Sequence, residues 1–271
     1  MQTVRLPQSE LEKALSSRPK HIFVAGASRG MGEAIARALG DEPHNMTLGA
    51  RSYNKVLGIA MDLGTARALP VRLDLTDQRS IDEAVVSAES RFGPIDALVV
   101  ASGVNAETPL EDLSSDARAR FRHILEVNLF GTYFLAQLVT AHMPNGGRVL
   151  FIGSVLARFG GTRSSAYTAS KHAILGLTRS MASELAPRGI RVNVLNPGWV
   201  DTQMAHDVLA RMAQNSGQTL QQTTAAMMAS QPIRRMIKPT EVGAYAKFLL
   251  GPGGDAITGQ GIDLSCGAVM I

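Results

Sequence analysis

A tyrosine and a lysine one helical turn apart are the first candidates for chemistry in this 271-residue chain. Tyr167 and Lys171 occur in the segment SSAYTASKHAILGLT, and Ser154 lies thirteen positions before the tyrosine. Residues i and i+4 share one face of a helix, so the phenol and the ammonium can reach a common point. A nearby cation favours the phenolate, which predicts a tyrosine pKa below its usual value of about 10. The pair therefore predicts proton transfer, and the alternative is a surface tyrosine beside a solvated lysine.

A glycine-rich turn near the N-terminus predicts a cradle for phosphate. Residues 21–25 form an apolar run typical of a strand, GASRGMG follows, and residues 33–39 have helical spacing. Glycines permit a close backbone approach, and a helix N-terminus presents free N–H groups and a positive dipole end to a pyrophosphate. The spacing of Gly26, Gly30 and Gly32 is G-x-x-x-G-x-G, not the G-x-G-x-x-G of the usual dinucleotide fingerprint. A purely structural turn is the alternative.

These motifs, in this order, resemble one known family. The glycine turn, Asn128 in VNLFGTYF, Ser154, the Tyr167/Lys171 pair and the segment 196–198 (Asn-Pro-Gly) are similar to the short-chain dehydrogenase/reductase family. The resemblance runs from about residue 21 to the C-terminus. Within the family, the chain looks most like 3-oxoacyl thioester reductases, aromatic polyketide ketoreductases and 3-hydroxybutyrate dehydrogenases. The resemblance implies hydride transfer between a nicotinamide cofactor and a ketone or secondary alcohol.

The resemblance implies a role for each of four catalytic residues. In the reducing direction Ser154 and Tyr167 polarise the carbonyl, and Tyr167 delivers the proton. Lys171 tunes the phenol and holds the nicotinamide ribose. Asn128 lies within a long apolar stretch, where a buried amide is costly without partners. The family role of this asparagine is to hold a water beside the lysine in a proton relay, and the alternative is a satisfied core amide.

The resemblance also implies a set of cofactor contacts after the predicted strands. Asp74 is expected to hold the adenine, although a helix N-cap by Thr76 or Asp77 explains the same segment. Thr202 is expected to position the nicotinamide amide, or only to cap the following helix. The full set is Gly26, Ser28, Arg29, Gly30, Met31, Gly32, Arg51, Asp74, Leu75, Ala101, Ser102, Gly103, Tyr167, Lys171, Pro197, Gly198, Val200 and Thr202.

Two arginines indicate which cofactor is bound. A carboxylate after the second strand binds the ribose 2′-hydroxyl of NAD, but here that strand ends in Ala50 and Arg51. Arg29, inside the glycine turn, can reach the same region. Two guanidiniums that face a 2′-phosphate make charge-assisted hydrogen bonds, so NADP(H) is predicted. The alternative is that both arginines are ordinary solvated residues.

Composition narrows the class of protein. A length of 271 residues with 45% hydrophobic content suits one large domain. The single cysteine and six scattered histidines predict no internal disulfide and no metal site. The polar N-terminus and the lack of a long uninterrupted apolar run predict neither a secretory signal nor a membrane span, hence a cytoplasmic protein. A net charge of +4 without a basic block predicts no nucleic-acid binding.

Strand-like runs alternate with helical stretches along the chain. Strands are expected at 21–25, 46–49, 70–73, 95–101, 147–152, 190–195 and 261–264, and the longest helices at about 112–142 and 164–186. This alternation predicts an α/β fold: a single-domain, Rossmann-type, doubly wound parallel sheet of about seven strands with helices on both faces. Residues 1–19 are expected to form an arm with a short helix around 8–15, and 20–271 the dinucleotide-binding and catalytic domain.

The chain departs from the family pattern in three places. Ala25 stands where the family commonly has Thr, and residues 100–103 (Val-Ala-Ser-Gly) replace Asn-Asn-Ala-Gly. Replacing several hydrogen-bonding partners together by small groups can be nearly neutral, which predicts a repacked but functional turn. Residues 265–267 (Ser-Cys-Gly) replace Asp-Gly-Gly, which puts details of the last strand and its subunit contacts in doubt.

The substrate and the assembly are less sharply indicated. Residues 203–238 lie where the family has a variable substrate lid, and methionine adapts to irregular apolar surfaces, so a bulky, largely apolar carbonyl or alcohol is expected. A helical core stripe is the alternative for about three of the five methionines in this segment, Met204, Met212, Met227, Met228 and Met236. The helices that carry Asn128 and Tyr167 resemble those that pair between subunits, which implies a homotetramer or homodimer.

Two rival functions remain open from the sequence. One is the opposite direction, in which a dehydrogenase oxidises a hydroxy acid or a sugar-like diol. The other is a regulator that senses the cofactor without catalysis, since fold does not determine function. The intact set of Asn128, Ser154, Tyr167 and Lys171 argues against the regulator, because a sensor needs cofactor binding but no proton chain.

Overall fold

Seven parallel strands follow the apolar runs of the sequence. The computed structural model describes residues 19–270. The strands are His21–Ala25 (β1), Asn45–Ala50 (β2), Ala68–Arg72 (β3), Ala97–Val100 (β4), Arg148–Ile152 (β5), Arg191–Pro197 (β6) and Gly261–Leu264 (β7). They form one sheet in the order β3-β2-β1-β4-β5-β6-β7, and every neighbouring pair is parallel. The order reverses between β1 and β4, which is where doubly wound sheets bind ligands.

Helices cover both faces of this sheet, as predicted. Side chains that alternate along the strands enter two apolar clusters, one that includes Phe23 and Phe151 and another that includes Val24 and Leu150. Strands buried on both faces therefore appear as nearly continuous apolar runs in the sequence. The α-helices of the described residues are Gly30–Gly40 (α1), Tyr53–Leu63 (α2), Gln78–Phe92 (α3), Ser115–Leu125 (α4), Gly131–His142 (α5), Ser165–Leu185 (α6), Gln203–Ser216 (α7), Leu220–Ala229 (α8) and Pro239–Leu250 (α9).

Element boundaries differ from the sequence predictions by a few residues, except in one helix. The helix expected at about 112–142 is divided into α4 and α5 by a π-helical turn, Glu126–Phe130. A Cβ on Gly131 would lie 2.0 Å from the carbonyl oxygen of Leu75, so only glycine lets α5 begin against the loop after β3. Apolar spacing does not distinguish a π turn from an α turn, and the sequence analysis missed it. The predicted arm, 1–19, lies outside the described residues apart from Pro19.

The helical segment Ser115–His142 presents an apolar face to the surface. Its length and composition would suit a membrane span, yet half of its most apolar window is buried inside the fold. The exposed part includes aromatic side chains of α5 and the preceding turn, Phe130, Tyr133 and Phe134. An exposed aromatic cluster of this kind in a globular fold is typical of a protein interface.

We expect this aromatic face to pair two copies of the chain in a homodimer or homotetramer. Phe134→Glu places a charge in the contact and should shift the protein toward monomer, whereas Tyr53→Glu on α2 should not. Both side chains are 38% exposed, so the second variant controls for the loss of an exposed ring. Light scattering at micromolar concentration is the measurement. A wild-type protein that showed only a 28.8 kDa species would contradict this assembly.

Candidate active site

The turn between β1 and α1 forms the predicted glycine cradle. A Cβ on Gly26 would lie 2.5 Å from the backbone nitrogen of Ser102, and one on Gly32 would lie 2.1 Å from the carbonyl oxygen of Gly26. Gly26 and Gly30 also have φ angles of +86° and +58°. No side chain of the described residues caps the N-terminus of α1. Its first N–H groups thus remain available for an anion, which fits the pyrophosphate of a dinucleotide.

The departures from the family pattern leave this turn well packed. The Ala101 backbone N–H donates to the carbonyl of Ala25 at 2.8 Å, and the Gly26 N–H donates to that of Gly49 at 2.7 Å. Backbone hydrogen bonds thus hold together the ends of β1, β2 and β4 without the threonine and asparagine side chains. At the other departure, the Gly198 N–H donates to the carbonyl of Leu264 at 2.9 Å, and the predicted last strand is present and pairs with β6.

A cleft of about 930 Å³ extends from the glycine cradle along the carboxyl ends of the strands. Its volume is within the range of small-molecule and cofactor sites. The predicted cofactor residues that line it are Gly26, Ser28, Arg29, Gly30, Met31, Gly32, Arg51, Asp74, Leu75, Ala101, Ser102, Gly103 and Thr202. The others do not line it: Tyr167, Lys171, Pro197, Gly198 and Val200. Val200 is buried and forms a bridge with Ile237 instead.

Basic side chains surround the part of the cleft after β2. Arg29, Arg51 and Lys55 line it, and within residues 19–270 none of them forms an ion pair. Arg37 also lines the cleft, but it is bonded to Glu33 at 2.9 Å and to an aspartate of α2. Sequence reasoning missed Lys55, although its position in the first turn of the helix that follows Arg51 was an available signal. The three unpaired cations are a match for a phosphate group.

The helix caps that were the alternatives for the Asp74 segment and for Thr202 are present in the structure. Asp74 and Thr202 also line the cleft. Asp74 Oδ1 accepts hydrogen bonds from the backbone and hydroxyl of Thr76, at 3.0 and 2.8 Å. Burial opposes ionisation, but these bonds and the charge of Arg51 hold the pKa of Asp74 below its usual value. Asp77 caps α3, and Thr202 caps α7 through the N–H of Ala205 at 3.4 Å. Local caps therefore orient the residues that line the cleft.

Ser154, Tyr167 and Lys171 meet at the end of β5. Ser154 lies two residues after β5 ends at Ile152, and the interaction of its hydroxyl with the phenol of Tyr167 acts to lower the pKa of that phenol. Lys171 lies 5.4 Å from the centroid of the Tyr167 ring, and its Nζ donates to the carbonyl of Ile152 at 2.9 Å. The serine, the phenol and the cation are thus assembled by one strand end and one helix face, as the sequence predicted.

Burial, and not the lysine, dominates the ionisation of the phenol. Burial raises the pKa of the half-buried Tyr167 to about 12, and the hydrogen bond with Ser154 lowers it by less. Burial also lowers the pKa of Lys171 to about 8. The sequence expectation of a tyrosine pKa below 10 is therefore wrong for this structure, because desolvation of the phenolate exceeds the favourable interactions. At neutral pH the phenol retains its proton and is ready to donate it.

Asn128 lies in the π turn and has a full set of protein partners. It is 2% exposed, its Oδ1 accepts from the Val104 N–H at 2.9 Å, and its Nδ2 donates to the Val104 carbonyl at 3.0 Å and to Ser170 Oγ at 3.2 Å. A Cβ on Gly103 would lie 3.5 Å from Asn128 Oδ1 and 3.8 Å from Lys171 Nζ. The amide thus joins the loop after β4 to α6 beside the lysine. These contacts match the satisfied-amide alternative and place Asn128 near the proton chain.

Comparison with known proteins identifies the family. The short chain dehydrogenase model matches residues 20–213. The 3-oxoacyl-(acyl-carrier-protein) reductase FabG of Salmonella typhimurium is 30% identical over 259 residues, which cover 95% of this chain and 100% of that protein. The chain belongs to the short-chain dehydrogenase family and is an oxidoreductase acting on CH–OH or C=O groups.

Two solved structures are similar over almost the whole chain. The actinorhodin polyketide ketoreductase with NADPH has a TM-score of 0.86 at 29% identity and covers 92% of this chain and 97% of its own. The 3-ketoacyl-(acyl-carrier-protein) reductase from Brucella melitensis complexed with NADH has a TM-score of 0.81 at 26% identity, with 93% and 99% covered. Both confirm the single-domain Rossmann-type fold.

The lowered pKa of Lys171 predicts a pH-dependent stability. Between pH 8 and pH 10.5 the unfolded chain keeps a proton that the folded lysine has lost. The free energy of unfolding therefore rises with pH in this window, and the cost of the buried ammonium is fully present below pH 8. We expect Lys171→Met to be inactive but more stable than the wild type at pH 7, by up to about 3 kcal/mol.

Urea unfolding at pH 7 and pH 10 measures this difference, which should shrink at the higher pH. The exposed Lys55 provides the control, because Lys55→Met also removes an ammonium but not one that is buried. A Lys171→Met protein less stable than the wild type at pH 7 would show that the buried ammonium is not a net cost.

Proposed function

We propose that the protein is an NADP(H)-dependent reductase that converts a ketone into a secondary alcohol, with a largely apolar carbonyl substrate of the 3-oxoacyl or polyketide type. One observation carries the proposal: Tyr167 and Lys171 come together beside Ser154 at the end of β5, with Lys171 Nζ 5.4 Å from the centroid of the Tyr167 ring. These residues lie at the carboxyl ends of the parallel strands, along which the cleft also extends. The cleft contains the glycine cradle, and its Arg29 and Arg51 form no ion pair within residues 19–270. Similarity to FabG and to the polyketide ketoreductase supports this substrate class.

The chain's own residues account for the proton part of the reaction. The cofactor supplies the hydride when it is bound. Ser154 and Tyr167 donate hydrogen bonds to the carbonyl oxygen, and the Tyr167 proton passes to that oxygen as it becomes an alkoxide. Preorganised donors of this kind contribute roughly 3–4 kcal/mol each in comparable sites. The protonated phenol of Tyr167 is the form that donates to the carbonyl oxygen in the reducing direction.

Lys171 and Asn128 support the phenol after it gives up its proton. The Lys171 ammonium lies close enough to the Tyr167 ring to stabilise the phenolate electrostatically, and its bond to Ile152 keeps it in place. Asn128 holds the loop next to Lys171 through Val104. We assign to this asparagine the positioning of a proton relay from Lys171 toward solvent.

The lid residues support an apolar substrate. In α7, α8 and the following loop, each of the five methionines is half-buried, so part of each side chain is open to the surface. Met204 also lines the cleft. Methionines that remain half-exposed on one segment provide an adaptable apolar surface, as a bulky substrate requires. A panel of ketones and alcohols with both nicotinamide cofactors tests the substrate class, and hydride transfer to any of them eliminates a non-catalytic sensor.

Tyr167→Phe tests the proton donor. The substitution removes only the hydroxyl, so cofactor binding should survive while kcat falls by at least about 100-fold. Steady-state kinetics on a ketone whose chemical step limits turnover, together with cofactor titration, provides the measurement. Retention of more than a tenth of wild-type kcat would mean that another group delivers the proton.

The cations beside β2 support NADP(H) over NAD(H). Charge-assisted hydrogen bonds to a 2′-phosphate contribute roughly 1.5–3 kcal/mol each, so a single contact from Arg29 or Arg51 gives at least about a tenfold preference. Among similar structures one contains NADPH and another NADH, so the residues of this cleft carry the proposal.

Arg51→Asp should remove this attraction, repel the phosphate and move the preference toward NAD(H). Arg91→Asp makes the same charge change near the end of α3, outside the cleft, and should leave the preference unchanged. The ratio of kcat/KM values for NADPH and NADH is the measurement. Equal or better use of NADH by the wild-type enzyme would rule out a phosphate role for both arginines.

A further inference from the structure

The N-terminus of α6, the helix that carries Tyr167, is capped by a distant residue. Its own N-cap residue, Ser164, makes no side-chain hydrogen bond to the helix. Thr108 Oγ1, from the loop between β4 and α4, accepts a hydrogen bond from the Ala166 N–H at 3.1 Å. Thr108 is 5% exposed, so this bond is protected from water. The helix residue that follows Ala166 is Tyr167 itself.

Further hydrogen bonds surround this cap. The hydroxyls of Thr108 and Ser165 are 2.9 Å apart, and Ser165 Oγ donates to the Thr108 carbonyl at 3.0 Å. The Thr108 N–H donates to the carbonyl of Arg163 at 2.8 Å. Thr108 thus forms hydrogen bonds, through its backbone and its side chain, with three residues around the start of α6. These bonds resist a shift of the first helical turn.

Glu107, the neighbour of Thr108, connects the same point to the lid. Its carboxylate accepts from Arg163 Nε at 3.0 Å and from Asn215 Nδ2 on α7 at 2.8 Å. Arg163 has a φ of +57°, which is uncommon for a residue other than glycine and requires support from its surroundings. Glu107 holds the guanidinium of Arg163 while Thr108 holds its carbonyl.

We propose that Glu107 and Thr108 form a positioning brace, which holds Tyr167 in register with Ser154 and which the lid helix α7 completes through Asn215. The proposal rests on the proton-donor role proposed for Tyr167. A displacement of about 1 Å in a reacting group can lower a rate by about 100-fold, so a loose first turn of α6 lowers kcat without removing any catalytic group. Asn215 of α7 contacts the same carboxylate that supports the start of the catalytic helix, which couples the position of the lid to the register of the phenol.

Thr108→Val tests the brace, because it removes the hydroxyl and keeps the shape of the side chain. We expect kcat to fall at least about tenfold, while KM for NADPH stays within about twofold. Thr108→Ser restores the hydroxyl and should recover kcat to within about threefold of the wild type. Amide hydrogen exchange in residues 164–168 should rise in the valine variant and not in the serine variant.

Thr178→Val is the matched control for the loss of a buried hydroxyl. Thr178 lies on the same helix, is fully buried, and donates to the carbonyl of Ile174 at 2.8 Å. This variant should keep wild-type kcat at a temperature where all the proteins are folded. An unchanged kcat in Thr108→Val, even with faster exchange at 164–168, overturns the proposal, and so does an equal loss in Thr178→Val.

Asn215→Ala tests the link to the lid, with the exposed neighbour Gln214→Ala as its control. We expect Asn215→Ala to raise KM for the ketone at least about threefold and to lower kcat. In a protein that already carries Thr108→Val, Asn215→Ala should lower kcat by a smaller factor. Fully additive effects overturn the coupling. Tyr167→Phe in the same assays separates the two proposals. Full activity of the Tyr167→Phe protein refutes the proposed function. An inactive Tyr167→Phe protein together with a fully active Thr108→Val protein refutes only the brace.

Discussion

The cleft depends on backbone segments that approach one another more closely than a side chain permits. Gly26 lies against the loop after β4, and Gly32 brings α1 against the carbonyl of Gly26. Gly131 does the same for α5 and the loop after β3, next to the π turn that holds Asn128. These contacts set the distances between the phosphate cradle, the loop after β4 and the start of α5. Close packing of the backbone thus leaves room for the cleft along the carboxyl ends of the strands.

Desolvation shapes the catalytic end as strongly as close packing shapes the cradle. A phenol and an ammonium placed together in water would favour the ion pair, but at this depth both groups shift toward their neutral forms. Tyr167 therefore keeps its proton, and Lys171 is held by a backbone carbonyl of β5 while it is easily deprotonated. Burial disfavours the charged form of each group, and it leaves the phenol of Tyr167 protonated at neutral pH.

The substrate side is built from longer and more exposed segments. The loop after β4 contacts Asn128 through Val104, the start of α6 through Thr108 and the lid through Glu107. One loop thus touches Asn128, the helix of Tyr167 and the helix α7, which we propose covers the substrate. Half-exposed methionines on the lid leave the shape of that surface adaptable, while the polar contacts of the loop keep the reacting groups in place.

The sequence by itself determined the seven strands, the glycine cradle, the Ser154–Tyr167–Lys171 set and the family. Each depends on apolar period, glycine spacing or i, i+4 geometry, which act over a few residues along the chain. Only the tertiary structure decided the π turn at Asn128, the raised pKa of Tyr167 and the cap that Thr108 provides from 58 positions away. Burial and long-range hydrogen bonds depend on neighbours brought together by folding, and no local pattern encodes them.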